Sequence, residues 1–203
     1  MPNPAPLKWG QTYHIYSRGN NGENLFFEER NYPYFLRLYG EHIHPIAETY
    51  AYCLLKNHFH VLVRLRGEEE VAGLAVQAAV RRRPSQSFSN LLNAYTRSVN
   101  QRYGRTGSLF ERPFGRKLVT SDGYLSRLVI YIHRNPQKHR FVADFREWLY
   151  SSYHSLLAPA ERPTRLPRQE VLAWFGGPAG FVELHQQGGD ERWIASLGEE
   201  DFA

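Results

Sequence analysis

The sequence has one cysteine, Cys53, among 203 residues. That excludes an intramolecular disulfide framework and any cysteine-built zinc module. No stretch approaches the roughly 20 apolar residues needed to cross a bilayer. The opening residues 1–10 carry no apolar run of the secretory kind. A soluble, cytoplasmic protein with no membrane partner is therefore expected. There is no internal repeat and no low-complexity tract. What is present, 42% hydrophobic and 22% charged residues in 23.7 kDa, excludes wholesale disorder. The length fits one domain, or one domain with an extension.

The charge is modest in sum, +5, but uneven along the chain. Between Arg81 and Lys117 stand nine basic residues (Arg81, Arg82, Arg83, Arg97, Arg102, Arg105, Arg112, Arg116 and Lys117) against the single acid Glu111, a net +8. From Asp144 to Ala203 ten acids face five arginines, a net −5. A basic middle of this kind is either a solvated face or a contact for a polyanion such as nucleic acid. Arg81–Arg83 fall in an expected loop suited to phosphate contacts, and the stretch Arg97–Lys117 is suited to tracking a nucleic-acid backbone, with aromatics for stacking.

Residue patterning predicts a strand at residues 12–18 and a helix from Glu28 to about His44. Two strands follow, Glu48–Lys56 and His58–Arg66, turning tightly at Asn57. A second helix spans Ser85–Tyr103 with apolar residues at helical spacing, closed by Gly104, and Gly107–Thr120 reads as extended. A third helix starts at about Ser121 and is expected to stop at Asn135-Pro136. The order is β-α-β-β-α-β-α. The expected class is α+β, a ferredoxin-like or RRM-like antiparallel sheet with helices packed on one face. Residues 1–157 would form this domain. Residues 158–203 would be a C-terminal extension of unknown role, with short helical candidates at Arg168–Phe175 and Ala179–Gln187.

Strand alternation in His58-Phe59-His60-Val61-Leu62-Val63-Arg64-Leu65-Arg66 puts Phe59, Val61, Val63 and Leu65 on an expected core face. His58, His60, Leu62, Arg64 and Arg66 lie on the opposite one. Two imidazoles at i, i+2 sit about 7 Å apart along a strand, within range of one divalent ion. Arg64 would draw a phosphate to the same face. Read alone, the pair is either a metal site or two hydrogen-bonded surface histidines. On the third helix, Leu125, Leu128, Val129 and Ile132 define a core stripe, and Tyr131 and Asn135 share its flank. There Tyr131 is either a half-exposed, ligand-facing residue or an amphipathic tyrosine at a packing boundary.

Three motifs occur in order: His58-Phe59-His60, the stretch Asn100–Phe114 (NQRYGRTGSLFERPF), and Tyr131-Ile132-His133-Arg134-Asn135-Pro136. Together with Trp148–Tyr153, they resemble the single-tyrosine HUH transposases, and within these the REP-associated tyrosine transposases. The resemblance covers roughly residues 8–157. It implies a metal-dependent endonuclease and strand transferase acting on single-stranded DNA near palindromic hairpins. His58 and His60 would be metal ligands, Asn135 the third ligand and Tyr131 the nucleophile that forms a 5′-phosphotyrosine. The insertion-sequence relatives usually carry glutamine where this chain has Asn135. Mg²⁺ or Mn²⁺ would be the cofactor, and repetitive palindromic DNA the partner. The location would be prokaryotic and nucleoid-associated, the state monomer or homodimer. DNA contacts would come from Arg64, Arg81, Arg82, Arg83, Arg102, Arg105, Arg112, Arg116 and Lys117. Two other readings stay open: a non-catalytic nucleic-acid-binding module on the same fold, and a metallohydrolase using water. A host-retained enzyme that cuts repeats without moving its own gene shares the transposase chemistry.

Overall fold

The computed structural model describes residues 5–72 and 83–187. The strands are β1 (Thr12–Arg18), β2 (Ala47–Leu54), β3 (His58–Leu65) and β4 (Gly115–Leu118). The helices are α1 (Asn31–His42), α2 (Glu68–Ala72), α3 (Ser85–Tyr103), α4 (Asp122–Lys138), α5 (Tyr153–Leu157), α6 (Arg168–Ala173) and α7 (Pro178–Gln187). The strands form one antiparallel sheet in the order β2-β3-β1-β4. Arg81, Arg82 and residues 188–203 lie outside the described residues.

The α+β class and the antiparallel sheet are as expected. On one face, Phe59 of β3 meets Phe35 of α1 and Phe110, and Phe35 meets Tyr95 of α3. The expectation of helices on that face alone is extended by α4, which lies across the other face. Its Tyr131 ring sits 5.5 Å from the ring of His60. The histidine face of β3 is accordingly buried, with His60 at 0% exposure and His58 at 5%. Strand alternation separates two faces but does not say which of them meets water.

Two boundaries also differ from expectation. The extended segment 107–120 pairs as a strand only over Gly115–Leu118, where it runs along β1. Gly115 is opposite Tyr16, whose ring occupies the space a Cβ would need, at 2.0 Å. Helix α4 continues through Asn135-Pro136 to Lys138. Proline removes one donor from the ladder, but the turn closes beyond it through His139 N–H to Asn135 O at 2.9 Å and Phe141 N–H to Pro136 O at 2.9 Å. Asn135 is thereby held in helical geometry, one turn after Tyr131.

The outer side of α4 is covered by the C-terminal segment. His185 of α7 donates from Nδ1 to Phe181 O (2.7 Å), so its Nε2 accepts from His133 Nδ1 at 2.9 Å. His133 Nε2 then accepts from the Ser152 hydroxyl at 2.7 Å, and Ser152 Oγ accepts the Tyr52 N–H of β2 at 2.9 Å. Arg134 adds a bond to His185 O at 2.7 Å. This chain ties α7, α4 and β2 together using neutral imidazoles only. Val171, Phe175 and Phe181 join the same core as the sheet.

Replacing the buried Phe59 by alanine removes the ring that links β3 to α1 and the Phe110 loop. Denaturant unfolding is expected to show a loss of about 3–5 kcal/mol. A loss under about 1 kcal/mol would mean that the Phe59 face is not the centre of the core.

Candidate active site

The β1–β3 register places Tyr16 opposite His60 and Arg18 opposite His58, so His14, Tyr16 and Arg18 share the histidine face. The His58 and His60 ring centroids are 5.3 Å apart and nearly perpendicular. Each ring is held through Nδ1: His58 by Asn57 Oδ1 at 2.8 Å, His60 by His14 Nε2 at 3.0 Å. That leaves Nε2 as the nitrogen each ring has for a metal.

Helix α4 closes the face from above. Tyr131, expected at a half-exposed flank, is 3% exposed, and Asn135 is fully buried. The sheet closes this flank, with the His60 and His14 rings 5.5 and 6.0 Å from that of Tyr131, while Ser152, Phe145 and α7 meet α4 through His133 and Arg134. The Asn135 amide donates from Nδ2 to Tyr131 O at 3.1 Å, which fixes the carboxamide and turns Oδ1 away from its own helix. Asn135 Oδ1 is buried and has no hydrogen-bond partner of normal geometry among the described residues. The carboxamide lies near enough to His58 and Tyr131 to act on both: its oxygen favours protonation of the first and its N–H favours ionisation of the second. A buried oxygen without a donor costs about 1–3 kcal/mol unless something else fills its lone pair. Among the described residues, no three His, Cys, Asp or Glu side chains form a metal cage. A cation here would rest on two imidazoles and this amide oxygen, a neutral donor set of the kind that suits Mn²⁺ and, less strongly, Mg²⁺.

Burial dominates the titration of every group. It drives His14 down to about 3, helped by the Lys117 charge. It also drives His58 to about 3, with His139 adding to the shift. Desolvation holds His60 well below its ordinary value, reinforced by His14, His58, His139 and Lys138. The Tyr131 hydroxyl is pushed up to about 12 by burial, partly offset by Asn135. Lys138 Nζ lies 5.4 Å from the Tyr131 ring centroid, and the His139 ring is 4.7 Å from that of His58. The site is uncharged within and cationic at its rim.

The arginines proposed from sequence do not converge on this site. Arg64 lies at the far end of β3, about 20 Å along the strand from His58. It is engaged by Glu48 at 3.0 Å and Glu70 at 3.3 Å, which hold it in its charged form. Arg102 borders an open cavity of about 610 Å³ beside Tyr34 and Tyr103. Arg105 pairs with Glu23 and bonds Asn100 Oδ1 at 3.0 Å. Arg112 and Arg116 line a groove of about 390 Å³ against α3, Arg116 stacking on Phe114. Arg83 is exposed just before α3. Apart from Arg64, these residues belong to the α3 side of the sheet. Lys117 is opposite His14 and so on the histidine face.

Sequence reasoning missed His14, Asn57, Arg18, Lys138 and His139. Alternation in Thr12–Arg18 does group His14, Tyr16 and Arg18, but only the β1–β3 register brings them to His58 and His60. In the metal-free protein, buried neutral histidines make stability fall with acid. Unfolded histidines protonate near pH 6.5, whereas His14 and His58 (about 3) and His185 (about 4) resist. The free energy of unfolding should therefore fall as pH drops below about 6.5, by about 2 kcal/mol per such residue at pH 5, and the thermal midpoint with it. Thermal melts from pH 7.5 to 5 check the sign, and a midpoint that rises on acidification would contradict it.

Comparison with known proteins finds similarity in both sequence and fold. A Haemophilus influenzae protein named as a REP-associated tyrosine transposase is 32% identical over 114 residues, 55% of this chain and 61% of that protein. The chain thus matches less than two thirds of its relative's length. A solved structure of a REP-associated tyrosine transposase bound to a REP hairpin superposes with a TM-score of 0.59 at 16% identity, covering 80% of this chain and 89% of the other. No protein-family model matches the chain. Among the described residues no helix is long and apolar enough to cross a membrane. In sequence over about half its length, and in fold over most of it, the chain resembles the REP-associated tyrosine transposases.

Proposed function

We propose that the protein cuts and rejoins single-stranded DNA beside palindromic hairpins, with Tyr131 as nucleophile. The observation that carries this reading is the buried meeting of His58 and His60 of β3 with Tyr131 and Asn135 of α4, where Asn135 Oδ1 has no hydrogen-bond partner of normal geometry among the described residues. The Tyr131 oxygen attacks the phosphorus of a phosphodiester. The bond from phosphorus to the 3′-oxygen breaks, leaving a free 3′-hydroxyl and a 5′-phosphotyrosine. The same exchange run backwards, with another 3′-hydroxyl attacking, rejoins strands without external energy.

His58, His60 and Asn135 would hold Mg²⁺ or Mn²⁺, which when bound supplies charge withdrawal from the phosphate and eases loss of the phenolic proton. The chain's own groups do the rest. Tyr131 is protonated at rest, since burial raises its pKa to about 12, so attack requires its proton to leave as substrate binds. Lys138 and the Asn135 amide favour the phenolate. Packing by α4 excludes bulk water, which favours tyrosine over water as nucleophile and counts against a hydrolase.

The basic groups suggest how DNA reaches the site. Strand β4 is an edge strand, with Arg116 directed to the α3 face and Lys117 to the histidine face. A hairpin held by Arg83, Arg102, Arg112 and Arg116 could pass its single-stranded flank over this edge towards Lys117 and Tyr131, with backbone contacts that weaken with salt. Arg64, already engaged by two glutamates, is set aside as a DNA contact, and Arg105 is partly committed to Glu23. A single nucleophile per site suits one cut in one strand.

The test is covalent trapping of labelled hairpin DNA with Mn²⁺ on a denaturing gel. The parent protein should form an adduct that Tyr131→Phe abolishes. Cleavage surviving in that variant would mean a water nucleophile, and binding without cleavage on hairpins from the host's own repeats would mean a binding module. Separately, His60→Ala should lose metal-dependent cleavage while hairpin affinity stays within about threefold, because phosphate contacts supply most of the binding. Equal loss of both on titration would break that division.

A further inference from the structure

His14 has no part in the chemistry above, yet it is 4% exposed and packed against the residues that do. Its Nε2 lies 3.0 Å from His60 Nδ1, and the two rings stack with centroids 5.1 Å apart at 22°. The Tyr131 ring stands edge-on to both, 6.0 Å from His14 and 5.5 Å from His60. In the β1–β3 register His14 faces Leu62, so it reaches His60 diagonally across the ladder.

A hydrogen bond between two neutral imidazoles carries one proton, so one ring donates and the other accepts. A nitrogen that is to hold a cation must offer its lone pair, and with Nδ1 engaged that nitrogen is Nε2. The proton of His60 then sits on Nδ1 and is donated to His14. His58 supplies a parallel within the same site. Its Nδ1 is 2.8 Å from Asn57 Oδ1, which can only accept, so His58 is likewise Nδ1–H. Both histidines of the pair thus meet an acceptor at the same ring atom, one from a turn and one from the neighbouring strand. An acceptor in that position fixes a ligand's tautomer and ring plane and raises its basicity.

We propose that His14 is a positioning residue for His60: it accepts the Nδ1 proton, keeps Nε2 as the lone-pair nitrogen, and so strengthens Mn²⁺ binding by His58, His60 and Asn135. The inference rests on the cation site of the proposed function. It goes beyond that reading by assigning work to a residue that touches neither cation nor DNA. The usual partner of a ligating histidine is a carboxylate or a carbonyl. A neutral imidazole does the same positioning without adding negative charge to a pocket that must receive a phosphate.

The experiment uses the full chain without DNA. Calorimetric titration with Mn²⁺ compares the parent with His14→Phe, which keeps a ring but has no acceptor, and with His14→Gln, whose amide oxygen can accept. Leu149→Ala, at an exposed position outside the site, serves as a control expected to bind as the parent does. In the metal-free parent, nitrogen NMR reads the His60 tautomer directly. Expected are an Nδ1–H His60, Mn²⁺ binding weakened about 10–100-fold in His14→Phe, and substantial recovery in His14→Gln. Parent-like Mn²⁺ affinity in a folded His14→Phe, or an Nε2–H His60 in the parent, overturns the proposal. Should His14→Phe fail to fold, the tautomer and the His14→Gln titration decide. A parent that binds no Mn²⁺ yet forms the Tyr131 adduct overturns the role of His14 and leaves the nucleophile standing. Mn²⁺ binding that depends on His14 in a protein forming no adduct does the reverse.

Discussion

Helix α4 seated on the second face of the sheet is the contact on which the rest depends. A four-stranded antiparallel sheet commonly leaves one face to water, and then histidines on that face would be solvated and loosely held. Here the face is closed, and every polar group beneath α4 must find a partner inside the protein. Asn57 and His14 hold the two histidines, and the Tyr131 carbonyl holds the Asn135 amide. Beneath the same helix lies the Asn135 Oδ1, buried and, among the described residues, without a hydrogen-bond partner of normal geometry. On the proposed reading, closure of the face would make His58, His60 and Asn135 a preorganised donor set.

The same closure explains the electrostatics. Neutral imidazoles and a protonated phenol are what a desolvated pocket tolerates, and the cations Lys138, Lys117 and Arg18 stay at its margin. On the proposed reading, a phosphate entering the pocket would meet Lys117 and Lys138 at the rim, Arg18 being paired with Glu111 at 2.7 Å, and lone pairs at the floor. Burial keeps the Tyr131 phenol in its protonated form near neutral pH, and on the proposed reading its proton would leave only as charge enters the site.

The position of α4 is itself maintained from outside. The directional chain from Phe181 O through His185, His133 and Ser152 to the Tyr52 N–H uses each donor and acceptor once, so neutral histidines satisfy it completely. Residues well beyond the sheet thereby set the seat of the helix that carries Tyr131. The basic residues, in contrast, are mostly on the α3 side. If the proposed function holds, grip and chemistry are divided between the two faces, and among the described residues successive positions of the β4 edge, Arg116 and Lys117, address both.

Much of this was legible in the chain. Alternation located β1 and β3 and separated Phe59 from His58 and His60, helical spacing located α3 to its ends, and three ordered motifs carried the family resemblance and the candidate nucleophile. Alternation could not say that both faces are buried, because that depends on where α4 lands. The rule that proline stops a helix failed at Pro136, where one missing bond is outweighed by a buried turn held from both sides. His14 was invisible as a site residue because 46 positions separate it from His60 and only strand register joins them. By itself the sequence determined which residue types were available and on which local face each sits, since local periodicity follows from backbone geometry alone. Only the tertiary structure decided which faces meet, which nitrogens are engaged and which charges are already paired, because those are contacts between segments whose separation along the chain carries no information about their distance in space.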